Sequence, residues 1–287
     1  MSVLHNLVCP LDNLALEQKG RSLVCSNNHS FDLAKTGYVN LLPVQQKHSK
    51  DPGDSKEMVI ARHNFLNTHT YEPIANAINT HIKHLLFQRM EPSFSLLDAG
   101  CGEGYYLSYL QQFYGKKLKN SIGLDVSKWA VMEASKRNKN LGWLVGSNAS
   151  LPMPASRFDG VLCLFGFPVW SEFHRVLADD GFIILANAGA KHLLELREIL
   201  YPEIRPYTPI NYESIDGVVL EQESTITFQF EIESTKGITE LLSMTPHRYK
   251  ASYEGRKKLE QVQKLVLTAD VTLSCLRKVD IKGLHNV

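Results

Sequence analysis

The chain has 287 residues, 44% of them hydrophobic and 21% charged, which fits a folded globular protein and excludes a disordered one. Lys and Arg number 31 against 30 Asp and Glu, so the net charge of +1 does not advertise a nucleic-acid binder, although a local basic patch is compatible with it. The start shows no basic flank ahead of an apolar run, no stretch approaches the roughly 18 apolar residues of a membrane span, and five scattered cysteines argue against a disulfide framework. A cytoplasmic protein with no membrane partner is expected.

Residues 1–36 are short of apolar periodicity and carry Cys9-x-x-Asp12 and Cys25-x-x-x-His29. Two short knuckles with two donors each have the spacing of a small tetrahedral zinc site, and a segment this size buries little core of its own. The second position of such a pair is ordinarily cysteine, and a carboxylate is a harder donor. The competing reading keeps Cys9 and Cys25 as small buried residues of a site that has lost its metal. Residues 37–92 read as a linker with turn formers (Gly37, Pro43, Asp51-Pro52-Gly53-Asp54), then helical segments from Ser55 and near Pro73.

Residues 93–287 read as the third unit. Strands are predicted at 94–99, 121–126, 143–145, 158–165 and 182–186, with helices at 105–114, 129–137, 173–177 and 192–200 between them. That alternation implies an α/β fold with a mostly parallel, doubly wound sheet covered on both faces. Residues 217–234 alternate polar and apolar like one long strand, with 267–276 as its partner.

Leu96-Leu97-Asp98-Ala99-Gly100-Cys101-Gly102-Glu103-Gly104 is the most informative stretch. Glycines directly after a buried strand let the backbone turn tightly and approach a ligand at the next helix N-terminus. Dinucleotide folds prefer G-x-G-x-x-G; here the spacing is G-x-G-x-G behind an aspartate, which suits a ligand with a cationic amino-acid part. Asp125, 21 residues beyond Gly104, ends the next strand with a carboxylate able to accept both hydroxyls of a ribose. Together these residues resemble the S-adenosylmethionine (AdoMet) site of class I, Rossmann-like methyltransferases. Asn148, after the third strand, then falls near the adenine edge. The competing reading is a turn-glycine cluster in another α/β protein.

A longer resemblance follows. His29-Ser30-Phe31-Asp32-Leu33-Ala34-Lys35-Thr36-Gly37-Tyr38-Val39-Asn40-Leu41-Leu42-Pro43-Val44-Gln45, then Asp51-Pro52-Gly53-Asp54-Ser55, Glu57-Met58 and Ala61-Arg62, are similar to the 23S ribosomal RNA guanine-N1 methyltransferases. The likeness continues through residues 98–106, 124–128, His192-Leu193, Glu195-Leu196 and Met244-Thr245-Pro246. It implies a zinc-ribbon-like module that helps grip a 23S rRNA hairpin, an AdoMet-dependent catalytic domain, and a homodimer. Carried over, the zinc positions are Cys9, Asp12, Cys25 and His29. The cofactor positions are Tyr71, Tyr106, Leu107 and His192, beside Asp98, Gly100, Gly102, Gly104 and Asp125. Three departures stand out: Asp12 for cysteine, Phe165-Gly166-Phe167-Pro168 for the usual Ala-Pro-Cys, and Asn187-Ala188-Gly189-Ala190 for the usual Thr-Pro-Gly-Pro.

The reaction implied is methyl transfer from AdoMet to N1 of a guanine, with no catalytic base assigned. Alternatives are another RNA or a small molecule as methyl acceptor, or an RNA-binding protein that retains AdoMet without turnover. Phe165, Phe167 and Trp170 are candidates for stacking on the base, while Trp129 and Trp143 read as core. Lys35, Lys47, His48, Lys50 and Arg62 are candidates for phosphate contacts, and Lys116-Lys117-Lys119, Lys136-Arg137-Lys139 and Arg256-Lys257-Lys258 read as solvated faces.

Overall fold

Four short strands open the chain: β1 (Leu7–Val8), β2 (Ala15–Lys19), β3 (Ser22–Val24) and β4 (Ser30–Asp32), paired antiparallel in sequence order. The computed structural model describes residues 4–46, 49, 51–87 and 93–279, so Lys47, His48 and Lys50 lie outside the described residues. Leu7, Leu16 and Leu23 from these strands join the core on one face of the large sheet. The Val8 N–H donates to Pro152 O, and Arg157 Nη1 donates to His5 O, so the small module is bonded to the larger body.

The larger sheet begins earlier in the chain than its motifs do. β5 (Val39–Asn40) forms its edge, pairing parallel with β8 (Gly142–Val145). Helices α1 (Lys56–Leu66) and α2 (Glu72–Phe87) follow, the first capped by Ser55, whose hydroxyl accepts the Met58 N–H. The alternating part then runs β6 (Leu96–Ala99), α3 (Tyr105–Tyr114), β7 (Ile122–Asp125), α4 (Lys128–Arg137), β8, β9 (Phe158–Leu164), α5 (Trp170–Val176), β10 (Leu177–Ala188) and α6 (Leu194–Leu200). β11 (Val218–Ile232) leads into α7 (Thr235–Ser243), α8 (His247–Lys250) and α9 (Tyr253–Glu260), and β12 (Leu265–Lys278) closes the sheet.

Strand order is β11-β12-β10-β9-β6-β7-β8-β5, with β12 antiparallel to both neighbours and the other pairs parallel. The central strands are buried on both faces, which is why β6, β8 and β9 read as mainly apolar runs, broken only by Asp98 and Asp159. β11 is an edge strand in which exposed and half-buried residues alternate over 223–232, which is why its sequence alternates there. One core cluster holds Ile74, Ile78, Leu107, Val131, Leu196 and Ile238 from the helices on its side; the other holds Phe173 and Val176 with the N-terminal module. Strand order reverses between β6 and β9, and a parallel sheet opens its binding crevice at the C-terminal ends of the strands flanking such a reversal. Asp98, Asp125 and Phe165 all sit at or just past those ends.

Candidate active site and metal centre

Asp98 is enclosed, and neither oxygen of its carboxyl has a hydrogen-bond partner. Burial first, then repulsion from Asp125 and Glu103, pushes its pKa up to about 8. An orphaned buried carboxyl is costly until a ligand supplies a donor or a positive charge. Beside it Gly100 (φ 94°) has open space where a side chain would project, with no atom within 4 Å of an added Cβ. Gly104 (φ 81°) caps α3, and a Cβ there would lie 2.6 Å from the Trp143 ring. Only glycine allows both that backbone and that approach.

Asp125 organises the loop. Its Oδ2 accepts the Gly102 N–H at 3.0 Å and its Oδ1 the Ser127 N–H at 2.8 Å. Burial raises its pKa against the pull of those two N–H donors. Each oxygen retains a lone pair for another donor. Asn148 lies past β8, half-buried, with Oδ1 enclosed and without a partner.

An aromatic wall stands near the loop. The Tyr71 ring is buried edge-on against Phe65 (4.9 Å) and Phe230 (5.9 Å), with the His192 ring 6.3 Å away. His192 in turn lies 6.0 Å from Phe165. Burial pushes His192 down to about 4, so the imidazole is neutral near pH 7. The Asp270 backbone N–H donates to its Nδ1 at 3.3 Å, which assigns the ring proton to Nε2. The Asp270 carboxylate accepts from the Lys191 N–H (2.8 Å) and Thr227 Oγ1 (2.9 Å), fixing the turn that presents His192. Burial also raises Tyr71 and Tyr106, keeping both phenols neutral, and the Tyr106 hydroxyl is enclosed without a partner. Leu107 is fully buried, its side chain part of the core.

Two bulky apolar residues here have left-handed backbones, Phe165 (φ 57°) and Leu193 (φ 50°), a conformation that costs about 1–3 kcal/mol each and concentrates at functional sites. The Phe165 N–H donates to Ala186 O, and Gly166 passes close to Ala99 O, so the segment lies across the end of β6 beside the glycine loop. Phe165 is 41% exposed and Phe167 90%. Trp170 is not with them: its ring packs against Tyr212 and the core on the other side. Trp143 is core, as expected, and Asp159 ties β9 to Ser95 through its backbone N–H and hydroxyl.

The 51–54 turn is a strap over β7. At Gly53 (φ 81°) a Cβ would come within 2.8 Å of Val126, and the Ser127 hydroxyl donates to Asp54 O at 2.7 Å. Arg62, expected at RNA phosphates, is occupied otherwise. It pairs with Asp54, donates to Met244 O at 3.2 Å and passes over Gly102.

Cys9, Asp12, Cys25 and His29 present one donor atom each within 4.8 Å of one another. His29 Nδ1 lies 3.5 Å from Cys9 Sγ and 3.4 Å from Cys25 Sγ, and Cys25 Sγ lies 3.4 Å from Asp12 Oδ2. Ligand edges of about 3.5 Å are what zinc with bonds near 2.0–2.3 Å requires in a tetrahedron. The 2.9 Å Asp12–His29 contact is shorter, a direct hydrogen bond. Asp12 Oδ1 accepts the Leu14 N–H, which turns Oδ2 toward the other three donors.

Residues 7–50 match the family described as "RlmA, N-terminal", a zinc ribbon, and residues 97–185 match "Methyltransferase domain". Glycine loop, strand-end acids and strand reversal, taken with that match, define a class I AdoMet-dependent methyltransferase. The chain is 31% identical over 273 residues to "Putative 23S rRNA (guanine-N(1)-)-methyltransferase YxjB" of Bacillus subtilis (strain 168), covering 92% of this chain and 94% of that protein. It is 28% identical over 201 residues to the 23S rRNA (guanine(748)-N(1))-methyltransferase of Streptomyces fradiae, covering 69% of each. The chain belongs to the 23S rRNA (guanine-N1)-methyltransferase family.

Proposed function

We propose that this protein methylates N1 of one guanine in a 23S rRNA hairpin, using AdoMet, and that its N-terminal module holds zinc. The observation that carries the reading is the partnerless Asp98 carboxyl beside the open face of Gly100, in a chain related along most of its length to enzymes named for this reaction.

The residues present fit AdoMet. Asp98 would accept from its ammonium and Asp125 from its ribose hydroxyls, with Gly100, Gly102 and Gly104 keeping the crevice clear. Asn148 would face the adenine, and Tyr71, Tyr106, His192 and the backbone at Leu107 would complete the cofactor site. When bound, AdoMet supplies a methyl group already activated by its sulfonium, so the protein's task is alignment. Neutral His192, with its proton on Nε2, offers a donor and no repulsion toward that cation. The N1 atom lies on the Watson–Crick edge, so the guanine must leave its pair to react. Phe165, held beside His192 with its ring partly exposed, gives such a base a face to stack on. The donor set Cys9, Asp12, Cys25 and His29 fits zinc in kind and spacing, and the ion would fix the knuckles that shape the RNA-gripping surface.

The homodimer implied by the resemblance belongs to the same proposal, as does cytoplasmic residence. No helix among the described residues is long and apolar enough to cross a membrane, and the outer edge of β11 is an unpaired strand surface there. Sedimentation velocity tests the dimer. The activity is tested by incubating the protein with methyl-labelled AdoMet and unmodified 23S rRNA, then digesting the RNA to nucleosides. Label in 1-methylguanosine is expected. Label in a small molecule and none in RNA would favour a different acceptor, motivated by the unusual Phe165–Pro168 segment.

A further inference from the structure

The segment between β11 and β12 holds exposed aromatics among cations. Tyr249 and Tyr253 are 69% and 66% exposed. The Arg248 guanidinium lies 5.8 Å from the Tyr249 ring centre, and Lys257 Nζ lies 4.7 Å from that of Tyr253. Across residues 247–260, Arg248, Lys250, Arg256, Lys257 and Lys258 stand against only Glu254 and Glu260. In a chain of net charge +1 this is a local basic face, although the 256–258 run alone reads as a solvated helix surface.

Its position gives it a meaning. Arg62 holds Met244 O just ahead of α8, and the Tyr249 hydroxyl donates to Met58 Sδ at 3.2 Å, so α1 anchors the segment. Tyr201 Oη lies 3.0 Å from His247 Nδ1, and Gly255 of α9 fits so closely on Leu200 that a Cβ would clash with its carbonyl. The basic face therefore adjoins the C-terminal end of α6, the helix whose N-terminal end follows His192. Cations beside freely exposed aromatic rings suit nucleic acid: ring faces take bases of any sequence, and cations take the phosphates between them. A protein-binding patch would instead be depleted of lysine at its centre.

We propose that α8 and α9 form the platform for the single-stranded RNA flanking the target guanine, with Tyr249 and Tyr253 stacking on bases and Arg248 and Lys257 holding phosphates. The platform rests on the rRNA reading and places the RNA on the insert, in addition to the N-terminal module.

The test is fluorescence anisotropy of a labelled 23S rRNA hairpin titrated with the full-length protein at several salt concentrations. The double variant Tyr249→Ala/Tyr253→Ala should bind about tenfold or more weakly with an unchanged salt slope. Arg248→Gln/Lys257→Gln should flatten the slope of log K against log salt by about 1.4. Tyr249→Phe keeps the ring, loses the Met58 contact and should bind like the native protein. AdoMet affinity should not move in any of them, and melting temperature should fall no further in the Tyr249→Ala/Tyr253→Ala pair than in Tyr249→Phe, which loses the same Met58 contact. Native binding and slope in both double variants would overturn the platform, and so would a loss in Tyr249→Phe equal to that of the alanine change, which would make the tyrosine a mere anchor. Failure of the native protein to bind the hairpin at all would defeat the rRNA reading itself.

Discussion

Asp98 sits where every influence opposes its charge: burial foremost, then Asp125 and Glu103. Its folded pKa of about 8 exceeds the unfolded value of about 3.9, so the ligand-free fold binds the proton more tightly than the unfolded chain does. Stability of the ligand-free protein should therefore fall as pH rises from about 4 to about 8, then level off. A ligand ammonium reverses the preference and expels the proton, so AdoMet affinity should climb with pH up to about 8. Melting curves with and without AdoMet across that range check both slopes. Asp98→Asn should flatten them, and a pH-independent AdoMet shift in the native protein would contradict this role. Asp125→Ala should weaken AdoMet by about 1.5–3 kcal/mol in calorimetry, through lost charge-assisted hydrogen bonds; unchanged affinity would mean the ribose lies elsewhere. The positions of both acids were legible in the sequence, because Asp98 is next to last in one buried strand and Asp125 is last in the next. Asp270 was not: it reaches His192 across 78 residues, a proximity made by the pairing of β10 with β12 rather than by any local pattern.

Among the elements, those buried on both faces wrote themselves into the sequence as apolar runs, and β11 did so by alternation. β5 left no such mark, because two residues are too few to show a period. The strap was visible as turn chemistry in Asp51-Pro52-Gly53-Asp54, but its seat on Val126 and Ser127 was not, since that is a contact between distant segments. Arg62 illustrates the same limit, reaching Met244 across 182 residues. The glycine loop is the element whose sequence and shape agree most closely, and it can be broken at one atom. Gly104→Ala must take a left-handed backbone and drive a methyl into Trp143. A loss of about 1–3 kcal/mol in urea denaturation is expected, with AdoMet binding reduced in step. A neutral substitution would show that the loop has room the structure denies it.

At the scale of the molecule, a zinc-ribbon-type module shares a core cluster with one face of a mostly parallel sheet, and a helical insert packs into the cluster on the other face. The fold class was readable because the alternation of strands and helices leaves few ways to connect them. The relation of insert to crevice was not, because α7–α9 dock through residues such as Ile238, Leu241 and Leu259, whose core partners lie far away in the chain. If the module holds zinc, chelator-free protein should carry one equivalent per chain by elemental analysis, and Asp12→Ala should carry less; zinc well below one equivalent in the native protein would make Asp12 a lost ligand. The central claim is methylation of one guanine at N1, a change that blocks base pairing and halts reverse transcriptase. Primer extension on 23S rRNA from cells with and without the gene tests it most directly. A stop at one guanine that vanishes with the gene is the predicted result, and stops that persist unchanged would contradict the account.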